Sequence, residues 1–189
     1  MENKEQNQNG EPSRVQGFQT DKLKISEFRD SIKGDYKGKV CPTCNRMARE
    51  QKRKISPIHC LALLHILKYY RYTENVDTLD YFNTRELFAD NKELMIDFQK
   101  LTYWDLIEAK GKIVNGVFRR EVNKYRISEN GIKFAQREIA IPIYAIVYDG
   151  IVEGHQLQPY ATIEQILKID SEQYDKLMDA NHLITNKSF

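Results

Sequence analysis

Long apolar runs are missing from this chain of 189 residues. No stretch approaches the roughly 18 residues that a membrane span requires, and the N-terminus has no apolar segment like that of a signal peptide. A cytoplasmic protein with no membrane partner is therefore expected. Cysteine is scarce: Cys41, Cys44 and Cys60 are the three in the chain, an odd, thin set that suits thiols or metal ligands better than a disulfide scaffold. Net charge is almost absent at +2, so any attraction to nucleic acid has to come from a local patch. Internal repeats are lacking, which excludes solenoids and propellers. Catalytic signatures are lacking too: there is no serine elbow, no glycine-rich phosphate loop, no His-Glu-x-x-His helix and no pair of carboxylates in a recognisable setting. A non-enzymatic role is expected.

What the chain does have is enough apolar residue, 41% beside 30% charged, for one core with a smaller appendage. Residues 1–20 are polar and poor in aliphatics, and are expected to form a disordered tail. Residues 21–55 are expected to hold a short helix, with Leu23, Ile25, Phe28 and Ile32 at helical intervals, and then a knuckle. That knuckle is "CPTCN", residues 41–45. Two thiolates two residues apart can grip one tetrahedral ion if the chain turns tightly after the second, and Asn45 tolerates the left-handed backbone of such a turn. The motif resembles half a zinc ribbon, with Asn45 where such knuckles commonly have glycine. Structural zinc on Cys41 and Cys44 is one expectation; the other is a metal-free turn. The missing ligands would come from His59, Cys60, His65, His155, His182 or a partner chain.

Ser56 and Pro57 mark a helix start, and 100° per residue then gathers Cys60, Leu63, Leu64 and Leu67 on one face. Cys60 therefore reads as core. Farther on, Asn83 or Thr84 can cap a short helix through Ala89, and Asn91 can cap a second one. On that second helix Leu94, Phe98 and Leu101 share one side, while Lys92, Ile96, Gln99 and Tyr103 share the other. A presented ridge follows. Asn115-Gly116 reads as the two-residue loop of a type I′ hairpin, which pairs Val114 with Val117, Ile113 with Phe118, Lys112 with Arg119, Lys110 with Glu121 and Leu106 with Tyr125. Lys110, Lys112, Arg119, Arg120, Lys124 and Arg126 outnumber Glu108 and Glu121 on this arm, a charge balance suited to a phosphate backbone.

The order helix, strand, helix, presented helix, hairpin, helix, together with "YWDLIEAKG" and "YRISENGIKF", resembles a winged helix-turn-helix domain of the MarR and phage-regulator type over residues 56 to 137. It is more loosely similar to small phage-encoded proteins that couple one cysteine knuckle to a winged helix. The resemblance implies an α+β fold with a winged-helix core over residues 56–138, double-stranded DNA as partner, a homodimer, and transcriptional regulation of phage or mobile-element type. It places Lys92, Ile96, Gln99, Lys100 and Tyr103 in the major groove, with Lys110, Lys112, Arg119, Arg120 and Lys124 on the wing. Gln99 suits adenine, Ile96 a thymine methyl, and Lys92 or Lys100 guanine or phosphate. Glu93 and Asp97 flank the ridge and repel phosphate, so a protein-interaction adaptor using the same face is the rival expectation.

Residues 139–189 are expected to form a hairpin and helical module. Asp149-Gly150 pairs Tyr148 with Ile151 and Val147 with Val152. Pro142 belongs on an edge, and Thr162 with Gln165 reads as a capping box. Cover for this apolar ribbon is expected from the helix after Thr162 and from a second subunit.

Overall fold

The computed structural model describes residues 25–72 and 80–179. The expected tail, Leu23 and His182 lie outside them. The fold is mixed α+β, and the chain divides once, between Arg49 and Glu50. The sequence reading instead places boundaries after residues 55 and 138.

In the first unit, helix α1 (Ile25–Ser31) precedes a small antiparallel ribbon of β1 (Lys39–Val40) and β2 (Met47–Ala48). Phe28 and Ile32 are buried, which fits the helical spacing that predicts this element.

The second unit begins with β3 (Gln51–Lys54) and then α2 (Pro57–Tyr72), which starts at the expected Pro57. From Leu61 to Lys68 every side chain of α2 is buried. The expectation of a single apolar face is too narrow, because α2 is the central helix, with later elements packed around it. His65 meets this demand by placing Nε2 3.0 Å from the Leu87 carbonyl. Burial also pulls the Lys68 ammonium below its usual range and raises the Cys60 thiol well above its own. Cys60 is core, as expected.

Next come β4 (Phe82–Asn83), α3 (Thr84–Leu87) and α4 (Lys92–Asp97). The Asn83 side chain caps α3 by accepting the Arg85 N–H at 3.1 Å. Asn91 precedes α4 without a side-chain capping bond. The helix expected to run on from α4 tightens instead into a 3-10 segment, Phe98–Trp104. The reason lies in the residues: Phe98, Leu101 and Trp104 recur every third position and all are buried, which a three-residue turn satisfies and a 3.6-residue turn does not. Asp105, left-handed at φ 53°, ends the segment.

A long hairpin follows, β5 (Ile107–Val114) and β6 (Val117–Ile127), with β4 on the other side of β6. Helix α5 (Glu129–Ala135) is capped by Ser128, whose Oγ accepts the Gly131 N–H at 2.9 Å. Gly131 is required there, since a Cβ would fall 2.1 Å from the Leu106 carbonyl oxygen.

The remaining elements are β7 (Ile141–Pro142), β8 (Tyr144–Tyr148), β9 (Ile151–His155), β10 (Tyr160–Ala161), α6 (Ile163–Leu167) and α7 (Ser171–Asp179). Thr162 and Gln165 form the expected capping box. Among the described residues strand β7 pairs only with β10, consistent with Pro142 at an edge. The pairs Tyr148 with Ile151 and Val147 with Val152 are as expected. Part of the ribbon's cover comes from its own chain: β8 is the middle strand between β3 and β9, and Ala145 and Val147 enter the same core as α2. Trp104 fastens this part by donating its indole N–H to the Pro142 carbonyl at 2.8 Å.

Candidate functional site

The exposed ridge of α4 and the hairpin that follows it form the candidate site. Leu94, Phe98 and Leu101 are buried as expected, and this fixes which side of α4 looks outward. Lys92 and Gln99 are exposed, and Ile96 is open at 76%. Lys100 is half-buried and held by Asp97 at 2.6 Å; the same ammonium keeps the Asp97 carboxyl below its ordinary range. Tyr103 departs furthest from the expected ridge. The 3-10 winding turns it against the core beside Trp104, with ring centroids 6.2 Å apart, and its carbonyl lies 2.7 Å from His155 Nε2.

Beneath the ridge sits His59, buried, with its ring 6.1 Å from that of Trp104. Nδ1 accepts the Ser56 N–H at 3.0 Å, and Nε2 is buried without a hydrogen-bond partner among the described residues. Burial lowers its pKa to about 4; Asp97 acts in the opposite sense and Lys100 in the same sense.

Hairpin register matches the expectation from the turn as far as Gly111 opposite Arg120: Val114 faces Val117, Ile113 faces Phe118, and Lys112 faces Arg119. It then shifts. Glu121 to Lys124 stand against Lys110 alone, so Ala109, not Leu106, faces Tyr125, and Ile107 faces Ile127. Left-handed Asn123, φ 59°, lies within this bulge. The slip keeps Ile107, Tyr125 and Ile127 together in the core, an energetic demand stronger than ladder continuity. Lys110 still reaches Glu121, at 3.4 Å, though the two are not a register pair.

The bulge divides the arm into two electrostatic halves. At the base, Lys110 pairs with Glu121, and Arg126 pairs with Glu108 at 2.6 Å; both cations also lie over the Tyr81 ring, at 5.6 and 5.1 Å. Outward from Gly111 the ribbon is two-stranded, reaching roughly 15 Å to its tip. Here Lys112, Arg119 and Arg120 are exposed, and no carboxylate among the described residues pairs with them. The same holds for Lys92 and for half-buried Lys124. Alternation puts Lys112 and Arg119 on one face and Arg120 on the other, beside Ile113 and Phe118. The Phe118 ring lies back over Gly111, where a Cβ would sit 2.4 Å from the ring.

Residues 46–54, "RMAREQKRK", read in the sequence as a basic stretch with no element or role assigned to it. Strand β3 carries Lys52, Arg53 and Lys54, all exposed, on an edge of its sheet. Arg53 is close enough to Asp97 to help hold that carboxyl down, so it adds a cation beside the end of α4, while Lys52 lies over the Tyr144 ring at 4.1 Å. No alternation marks Gln51–Lys54 as a strand; its only structural signal is its pairing with β8, about 90 residues later.

In the first unit Cys41 and Cys44 stand on the β1–β2 ribbon, Cys44 exposed and Cys41 half-buried. Asn45 is left-handed, φ 55°, which suits a tight turn with or without a metal. Backbone N–H groups of Cys44 and Thr43 donate to the Cys41 sulfur and lower its pKa. Among the described residues, no three His, Cys, Asp or Glu side chains converge as a metal site. No protein-family model, curated protein or solved structure matches the chain, so its chemistry has to be argued from these residues.

Proposed function

We propose that the chain binds double-stranded DNA through a winged-helix arrangement over residues 56–138, as a regulator of phage or mobile-element type. Lys92, Ile96 and Gln99 enter the major groove, and the outer hairpin lies along the adjacent backbone. Lys100, Lys110 and Tyr103 move to supporting roles, since two are held in ion pairs and one packs on the core. Lys52, Arg53 and Lys54 extend the basic footprint. The observation that carries this reading is the outer hairpin itself: three cations without carboxylate partners among the described residues on a projecting two-stranded arm, connected to an exposed helical ridge through the 3-10 segment and the hairpin's own base. An ordinary solvated strand has little reason to segregate its charge so that both carboxylates, Glu108 and Glu121, sit at the base and none at the tip. No helix among the described residues is long and apolar enough to cross a membrane.

A second reading, a protein-docking adaptor, rests on Ile96 and its exposed neighbour Met95. The two differ in their response to salt. Neutralising three phosphates releases counterions, so affinity for random duplexes should fall roughly fortyfold when salt rises about fourfold. An apolar docking face responds weakly. Absence of duplex binding at low salt, or binding indifferent to salt, would contradict the DNA reading.

A further inference from the structure

Seven residues of this chain can offer zinc a sulfur or an imidazole nitrogen: Cys41, Cys44, Cys60, His59, His65, His155 and His182. Cys60 is sealed in the core of α2, and His59 and His65 are buried along the same helix. His155 is engaged with the Tyr103 carbonyl. Even with His182, which lies outside the described residues, one chain reaches only three such ligands. A structural zinc site closes with four.

The two thiols that remain, Cys41 and Cys44, stand together in the turn between β1 and β2. The ribbon beneath them is pinned by Cys41 N–H to the Arg46 carbonyl at 2.8 Å and Asn45 N–H to the Cys41 carbonyl at 2.9 Å. Gly38 lets the ribbon close, because a Cβ there would lie 2.7 Å from Arg49 Cβ. On the same ribbon Val40 and Met47 face each other and are exposed at 51% and 62%. Two apolar side chains on a polar hairpin, adjacent to an unfinished ligand set, suit a self-complementary surface, because a two-fold axis through one ion would supply the missing pair of thiolates and cover both residues at once.

We propose that Cys41 and Cys44 from two copies of this chain close around one zinc ion, forming a four-thiolate tetrahedral site that links the copies. Each thiol gives its proton to solvent on binding, leaving four sulfur ligands and no open position. The site is structural.

The test uses the full chain, purified under reducing conditions and saturated with zinc. Metal analysis should give about one ion per two chains, light scattering a dimer, and cobalt substitution the absorption of a tetrahedral four-thiolate centre. Chelation and the pair Cys41→Ser, Cys44→Ser should each remove the ion and halve the mass, whereas Cys60→Ala and His182→Ala should leave both unchanged. One ion per chain, no ion at saturation, zinc retained by the double serine variant, or a mass unaffected by chelation would each overturn the proposal.

Discussion

The Asn115-Gly116 and Asp149-Gly150 hairpins turn on the same chemistry, two left-handed residues of which the second is glycine, yet their surroundings are opposite. The second has β3 along β8 and the core beneath it, so Ala145 and Val147 are buried and the ribbon is part of the body. The first has a third strand only at its root, where Phe82 and Asn83 of β4 pair with Tyr125 and Lys124; beyond the bulge no strand among the described residues pairs with it. A turn motif fixes which residues face each other near the loop. The neighbours decide whether the ribbon becomes wall or arm. The same substitution in each hairpin breaks the comparison most severely: Val147→Asp buries an unpaired carboxylate and should cost more than about 4 kcal/mol, whereas Val117→Asp in the arm should stay within about 0.5 kcal/mol. Urea unfolding of the two variants measures both, and equal losses would mean that the arm is not free.

His59 offers a gentler way to loosen the wall and leave the arm. It packs on Trp104, the residue that holds the Pro142 carbonyl. Its folded pKa, about 4, lies below the ordinary value of 6.5, so the folded state favours the neutral ring. The stability this supplies is complete above pH 6.5, is lost as pH falls toward 4, and changes no further below that. A shift of this size corresponds to roughly 3 kcal/mol. Measured across this window, the pH dependence of unfolding should be shallower in His59→Phe than in the parent. Superimposable slopes would show that the buried imidazole is not coupled to folding.

These two regions also show what the sequence could and could not reveal. Both turns and the register beside them were readable because loop chemistry is local. The Lys110 and Leu106 pairings failed because the bulge answers to Tyr125 and Ile127 seeking the core, a demand made by residues on other elements. The buried stripe of Leu94, Phe98 and Leu101 was legible from spacing. That Tyr103 leaves the ridge was not, since period-three placement of Phe98, Leu101 and Trp104 fits a 3-10 segment only once all three are known to be buried. Strand β3 was invisible because its partner is distant in sequence, and α2 looked one-sided because the elements around it are dispersed along the chain. The unpaired tip was half visible: its charges were plain, but which ones the base acids neutralise depended on the bulge.

The central claim is that the outer arm lies on phosphate, and the sharpest measurement is the slope of log affinity for duplex DNA against log salt in Arg119→Ala, Arg120→Ala beside the parent. Each phosphate contact contributes about 0.9 to that slope, so the account expects the variant to be shallower by about 1.8 with folding unchanged. Parallel lines for the two proteins would contradict it.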